Sequence, residues 1–236
     1  MAWEGKKTMN VIIGALAVIL TIAVYLAARN IHKRFTNPFT IPIILSTIFI
    51  ITILVVFHLP YEKYMTGGDW INKMLGPAVV ALAYPLYLHR RTLVKMAGPI
   101  LLGTAAGSFI GVITGLLLAK QAGFEEAILY SITTKSVTTP VAMAVTETMG
   151  GITSLAAVFV MIAGIGGGLM YEYVFSLLRL QSSIGRGLAL GSASHAIGTA
   201  EAMKSSQLEG SISTIAMVIS AVVVSLITPG LVSILL

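Results

Sequence analysis

The chain contains no cysteine, which excludes disulfides and thiolate metal sites and leaves the redox compartment undetermined. Charge is scarce: 10% of the residues are Asp, Glu, Lys or Arg, where soluble domains carry about 25%. Asp69 is the single aspartate. With 56% hydrophobic residues and a mean hydropathy of +0.93, these shortages exclude a solvated globular domain and indicate an integral membrane protein. Barrel strands would alternate over about ten residues. The apolar runs here are unbroken, so the spans are helices. No basic stripe carries interleaved aromatics, so the net charge of +6 gives no expectation of nucleic acid. There is no G-x-S-x-G elbow, no H-E-x-x-H pair and no P-loop, so no enzyme, metal or cofactor is expected.

Long apolar runs are what the sequence has instead. Asn10–Ala28, Phe39–Phe57, Leu93–Ala119, Ile152–Met170 and Ile212–Leu236 are each long enough to cross a hydrocarbon core as a helix. Lys6 and Lys7 precede the first run as in a signal peptide, but the run exceeds a usual signal core and continues into Arg29, which predicts an uncleaved helix. Residues 1–58 read as a two-helix scaffold joined by the basic connection Arg29–Pro38. Residues 59–74, with Gly67 and Gly68, read as a polar loop, and 59–236 as the transport core. The fourteen residues from Leu75 to Leu88 include Pro77 and Pro85, which predicts a kinked or interrupted helix.

Gly103, Gly107, Gly111 and Gly115 recur every four residues and predict a smooth helix face that another backbone approaches closely. A substrate passing along that ridge is the alternative use of it.

Two polar breaks interrupt the apolar pattern. The first, within 132–148, carries Lys135, Ser136, Thr138, Thr139 and Pro140. The second, within 191–204, carries Ser192, Ser194, His195, Gly198 and Thr199. Offset by about sixty positions they superimpose: Lys135 on His195, Thr139 on Thr199, Ala142 on Ala202, Met143 on Met203, and Gly150 on Gly210. The units would then be pseudo-repeats, each a broken element followed by a full crossing.

Loop charge bears on how these elements sit. With an external N-terminus and both breaks re-entrant, one face collects Arg29, Lys33, Arg34, Arg90, Arg91, Lys95, Arg179, Arg186 and Lys204. The other keeps Lys6, Lys7, Lys63, Lys73 and Lys120. Full crossings would even the tally, so the positive-inside rule favours re-entrant elements. A re-entrant element plus one crossing inverts each unit relative to the last, which is a transporter layout. The fold class expected is an all-α polytopic membrane protein with about seven helical segments, two broken or re-entrant elements and inverted pseudo-repeats.

Three motifs in order, Leu75–Tyr87, Lys135–Ala142 and Ala193–Ala200, resemble those of the LrgB/CidB membrane-protein family. The resemblance implies a multi-pass protein of the bacterial inner membrane, often encoded with a small LrgA/CidA-type membrane partner. The family is described as holin-like or antiholin-like, modulating murein hydrolases, export and lysis. Similar sequences include a plastidial glycolate/glycerate carrier, and bacterial relatives are linked to pyruvate uptake.

Three functions are weighed. In a carrier for a small monocarboxylate, Lys135 supplies charge, and the hydroxyls of Ser136, Thr138, Thr139, Ser192, Ser194 and Thr199 supply hydrogen bonds. Pro140 suits the first turn of a helix whose N–H groups face the anion, and Gly198 permits close approach. His195, Glu147 and Glu201 are candidates for proton coupling. Against these stand plainer uses: Lys135 paired with Glu147 or Glu201 or reaching the interface, His195 satisfied by hydroxyls, serines and threonines holding helices together, and the glutamates at solvated helix ends. A lysis-related pore needs only oligomerising amphipathic helices, not two polar breaks. An intramembrane enzyme using Lys135 and Ser136 is disfavoured because adjacent side chains do not face each other on a helix. A homodimer is an expectation without a residue to show it.

Overall fold

The computed structural model of the chain describes residues 2–35 and 40–236, and those residues form helices joined by short turns, with no strand among them. The end of the predicted Arg29–Pro38 connection falls outside the described residues. The helices are α1 (Ala2–Arg34), α2 (Pro42–Val56), α3 (Tyr61–Lys73), α4 (Leu75–Ala81), α5 (Ala83–Leu88), α6 (Arg90–Lys95), α7 (Ala97–Gln121), α8 (Glu126–Thr133), α9 (Thr139–Thr148), α10 (Thr153–Leu177), α11 (Ser183–Ser205) and α12 (Gln207–Leu235). Among the described residues, five stretches have the length and composition to cross a membrane: Met9–Arg34, Tyr61–Leu88, Ala97–Gln121, Thr153–Leu177 and Gln207–Leu235. Large apolar side chains cover the outside, among them Leu102, Leu226 and Ile234, each at least 75% exposed. Lipid is the solvent such a surface requires. The interior by contrast is rich in hydroxyls, and Thr228 and Thr214 bond the carbonyls of Val224 and Gly210 one turn back at 2.6 and 2.8 Å.

The chain divides into two compact units, Met1–Ala81 and Leu82–Leu236. In the first, α2 starts on Pro42, whose missing N–H costs nothing in a first turn, and is 15 residues long. The predicted polar loop at 59–74 is instead α3. Gly67 and Gly68 do not break it: a β-carbon on Gly67 would meet the Gly14 carbonyl oxygen and stand 2.8 Å from the Ala17 β-carbon, so α1 and α3 meet backbone to backbone. Thr21 and Tyr64 share a hydroxyl hydrogen bond of 2.8 Å across that seam.

The second unit carries both breaks. The predicted interruption of the Leu75–Leu88 segment is present as the turn between α4 and α5. The first break is a hairpin of two short helices, α8 of 8 residues and α9 of 10, about 12 and 15 Å long. Either is roughly half of a 30 Å hydrocarbon core. Its two outer ends lie together: Ser131 Oγ bonds the carbonyl and the amide of Ile152 at 3.1 and 2.8 Å, and Leu129, Tyr130 and Met149 pack with Ala119 of α7 and Val232 of α12. The element therefore enters and leaves on the Lys120 side.

The second break is a hairpin folded within α11 at His195, whose φ of 42° and ψ of −129° turn the chain back. Leu190 of the incoming arm and Ala202 of the returning arm share one cluster with Phe175. Ile184 and Leu188 of the incoming arm pack with Leu93 of α6 and Ile100 at the start of α7. This hairpin opens on the opposite side from the first. Within the unit, Arg90, Arg91, Lys95, Arg179, Arg186 and Lys204 lie toward that side, and Lys120 lies at the other. Two hairpins entering from opposite ends are the inverted arrangement that the offset repeat predicts.

Candidate functional site

The glycine ridge of α7 is where the hairpins meet. Leu188 Cδ1 lies 2.9 Å from where a β-carbon on Gly103 would stand, and Ser192 Oγ is 3.4 Å from that place on Gly107. Ser136 Oγ is 3.5 Å from the same place on Gly111, and the Lys135 ammonium lies against Gly115. Two successive ridge positions thus receive the second hairpin and the next two the first. Gly107 and Gly111 are one turn apart, about 6 Å along the axis, so Ser192 and Ser136 face the same short length of α7.

Lys135 stands in the turn between α8 and α9, half-buried, and donates to the Gly111 carbonyl at 2.9 Å. It forms no ion pair among the described residues: Glu201 bonds Lys204 at 2.7 Å, and Glu147 is exposed near the outer end of α9. Ser136 is buried; Thr138 and Thr139 are half-buried and Pro140 is exposed. Thr138 is the residue before α9, in extended conformation, but its hydroxyl does not cap the helix. Pro140 occupies the first turn, so the amides at that end have no side-chain acceptor.

His195 is 4% exposed, and its Nε2 is 3.0 Å from the Val160 carbonyl of α10. A carbonyl only accepts, so Nε2 carries the proton of that bond. Gly164 allows the ring to lie there, since a β-carbon would stand 2.6 Å from Cε1. Thr199 returns its hydroxyl to the His195 carbonyl at 2.8 Å and shares a second bond of 2.8 Å with Ser213 of α12. Gly198 lets the returning arm pass the incoming one, with the Leu190 carbonyl 2.5 Å from where its β-carbon would be. Ser192 bonds back to the Leu188 carbonyl, and Ser194 is buried against Gly167.

Val160 ties the two turns together. Its carbonyl holds His195, while its side chain packs with Val137 in the first turn and with Val112, Ala142 and Val224. The structure therefore brings Lys135, Ser136, Ser192, His195 and Thr199 into the middle of one unit. Glu147 and Glu201 lie toward the outer ends of the hairpins, on opposite sides.

Sequence reasoning missed the carbonyls of Gly111 and Val160, because apolar residues announce no polar role. It also missed Glu209, which is 5% exposed in the first turn of α12. Ser206 and Glu209 have capping-box spacing, and that was the available signal.

The profile of the LrgB-like family matches residues 21–234. A Bacillus subtilis protein, "Uncharacterized protein YxaC", is 46% identical over 217 residues, covering 92% of this chain and 94% of the relative. A second from the same organism, "Uncharacterized protein YwbG", is 36% identical over 221 residues, 94% and 98% of the two chains. "Holin-like protein CidB" of Staphylococcus aureus is 32% identical over 217 residues, 92% and 95%. No solved structure matches the fold.

Proposed function

The chain belongs to the LrgB-like family of membrane proteins, of the holin/antiholin-like kind, and on that premise we propose that it is a carrier for small monocarboxylates. The observation that supports this reading is Lys135. An ammonium at the turn of a half-membrane hairpin, bonded to one carbonyl and paired with no carboxylate among the described residues, is a cation in want of a counter-ion. A half-buried charge at membrane depth without a carboxylate partner points to a function. A small organic anion supplies the missing charge, and the hydroxyls of Ser136 and Ser192 along the α7 ridge supply hydrogen bonds.

The geometry also suits alternating access. Each hairpin opens to one side and ends at the same length of α7, so small movements of either arm against the glycine ridge expose the site to one side at a time. The positive-inside rule assigns the arginine-rich side, with Arg179 and Arg186, to the cytoplasm of a bacterial inner membrane.

The second reading is a holin-like modulator of murein hydrolases and lysis working with a small membrane partner, of which the name of the CidB relatives favours the holin-like part. The two readings separate in liposomes containing this protein alone. A carrier gives saturable uptake of labelled pyruvate, glycolate or glycerate that Lys135→Ala abolishes while insertion stays normal. A pore gives leakage of unrelated solutes without saturation.

A further inference from the structure

Glu209 is buried in an unusual way. Its side chain is 7% exposed, and Oε2 has no hydrogen-bond partner. Capping does not explain its place: the Ser206 amide that a capping-box glutamate would take is already bonded to the Ala202 carbonyl at 3.0 Å. The cation facing it is Arg186, on the incoming arm of the second hairpin, with Nε 3.6 Å from Oε1. That separation is beyond a hydrogen bond, and Arg186 Nε has no other partner. Arg186 is half-exposed and keeps water, so it is the buried Glu209 carboxylate whose charge is poorly compensated by this long contact.

Arg186 faces a second way. With Arg179, Gln181, Ser176, Phe175 and Glu172 it lines a cavity of about 370 Å³ at the cytoplasmic mouth of the hairpin, its guanidinium 5.3 Å from the centre of the Phe175 ring. That volume lies in the range of small-molecule sites. Two arginines against one glutamate, whose carboxylate already accepts from Tyr171 at 3.1 Å, make it a receiver for an anion.

We propose that Arg186 trades Glu209 for the carried carboxylate at this mouth, and that Glu209, left buried without its cation, binds the proton that travels with the anion. The inference rests on the carrier reading above. A planar guanidinium can take a free carboxylate in a two-point bond that the Glu209 geometry does not provide. The abandoned carboxylate is buried just inside the mouth, and neutralising it with a proton from the cytoplasm removes the cost of a lone buried charge. One anion and one proton then occupy the protein together, and release reverses both steps.

The other groups around Glu209 do not replace Arg186. The returning arm of α11 contributes Lys204, which is held by Glu201. The segment packed on α12 through the Ser211 hydroxyl and the Pro85 carbonyl ends in His89, whose Nε2 is buried and unbonded, beside exposed Arg90 and Arg91. None of these forms an ion pair with Glu209 among the described residues.

The test compares uptake of labelled pyruvate into liposomes with and without an imposed pH gradient. It is joined to dye-detected proton uptake when pyruvate is added to the purified full-length protein. The intact protein is expected to respond to the gradient and to take up about one proton per bound anion, as the charge balance requires. Glu209→Gln is expected to transport without responding to the gradient and without taking up protons. Arg186→Gln strands Glu209, so the doubly neutral Arg186→Gln/Glu209→Gln protein carries the affinity test. It is expected to insert normally and show a KM raised at least about tenfold. A Glu209→Gln protein as gradient-sensitive as the parent, or an unchanged KM in the double variant, overturns this proposal alone. An intact protein that moves no monocarboxylate overturns the carrier reading and this one with it.

Discussion

At the scale of single residues, the account turns on groups whose surroundings leave them one use. Gly115 is one, because a β-carbon there would meet the Lys135 ammonium, while the nearest backbone atom, the Ile132 carbonyl oxygen, stays at an ordinary 3.8 Å. Gly115→Ala is therefore expected to displace the ammonium with little loss of stability and to impair uptake, measured as a raised KM with normal membrane insertion. Gly166→Ala, with open space at the same position, is expected to leave both stability and uptake at parental levels. His195 is a second case. Its φ of 42° and ψ of −129° suit glycine, so His195→Gly relieves backbone strain that His195→Ala retains. Both lose the bond to Val160, and thermal unfolding in detergent is expected to show the glycine variant more stable by about 1 kcal/mol. Both turns owe their shape to such pairings: Lys135 with a carbonyl of α7, His195 with one of α10.

At the scale of elements, the hairpins make a prediction that a fully crossing arrangement contradicts. Because the chain has no cysteine, single cysteines can be introduced and labelled from one side at a time. Ala122 and Gly150 flank the first hairpin on the Lys120 side. Cysteines at both positions are expected to react with an impermeant maleimide added outside the cell, and a cysteine at Gln181, by the second mouth, only after permeabilisation. Opposite sidedness for positions 122 and 150 would refute the re-entrant element. Much of this layout was legible in the sequence. The hydroxyl-rich breaks, the offset of sixty and the lopsided loop charge follow from the cost of polar groups at membrane depth, which composition exposes directly. The helix at 61–73 was not legible: Gly67 and Gly68 read as turn residues, and only the close approach of Gly14 shows that Gly67 serves packing. Glu209 stayed hidden for a similar reason, since an acidic residue opening a helix usually answers the dipole and needs no partner.

At the scale of the whole molecule, the second unit joins two half-length hairpins, opening to opposite sides, on one glycine ridge, with an unpaired lysine where they meet. The division into a scaffold at 1–58 and a transport core beyond it stays a proposal about roles; the compact units divide at Ala81. The most direct measurement is uptake of labelled pyruvate, glycolate and glycerate into liposomes holding this protein alone, beside the same liposomes with Lys135→Ala. Saturable uptake of at least one of these acids, abolished by the substitution while the inserted amount stays equal, is the result the account predicts. Uptake that survives in Lys135→Ala, or leakage of unrelated solutes in place of saturable uptake, would contradict it.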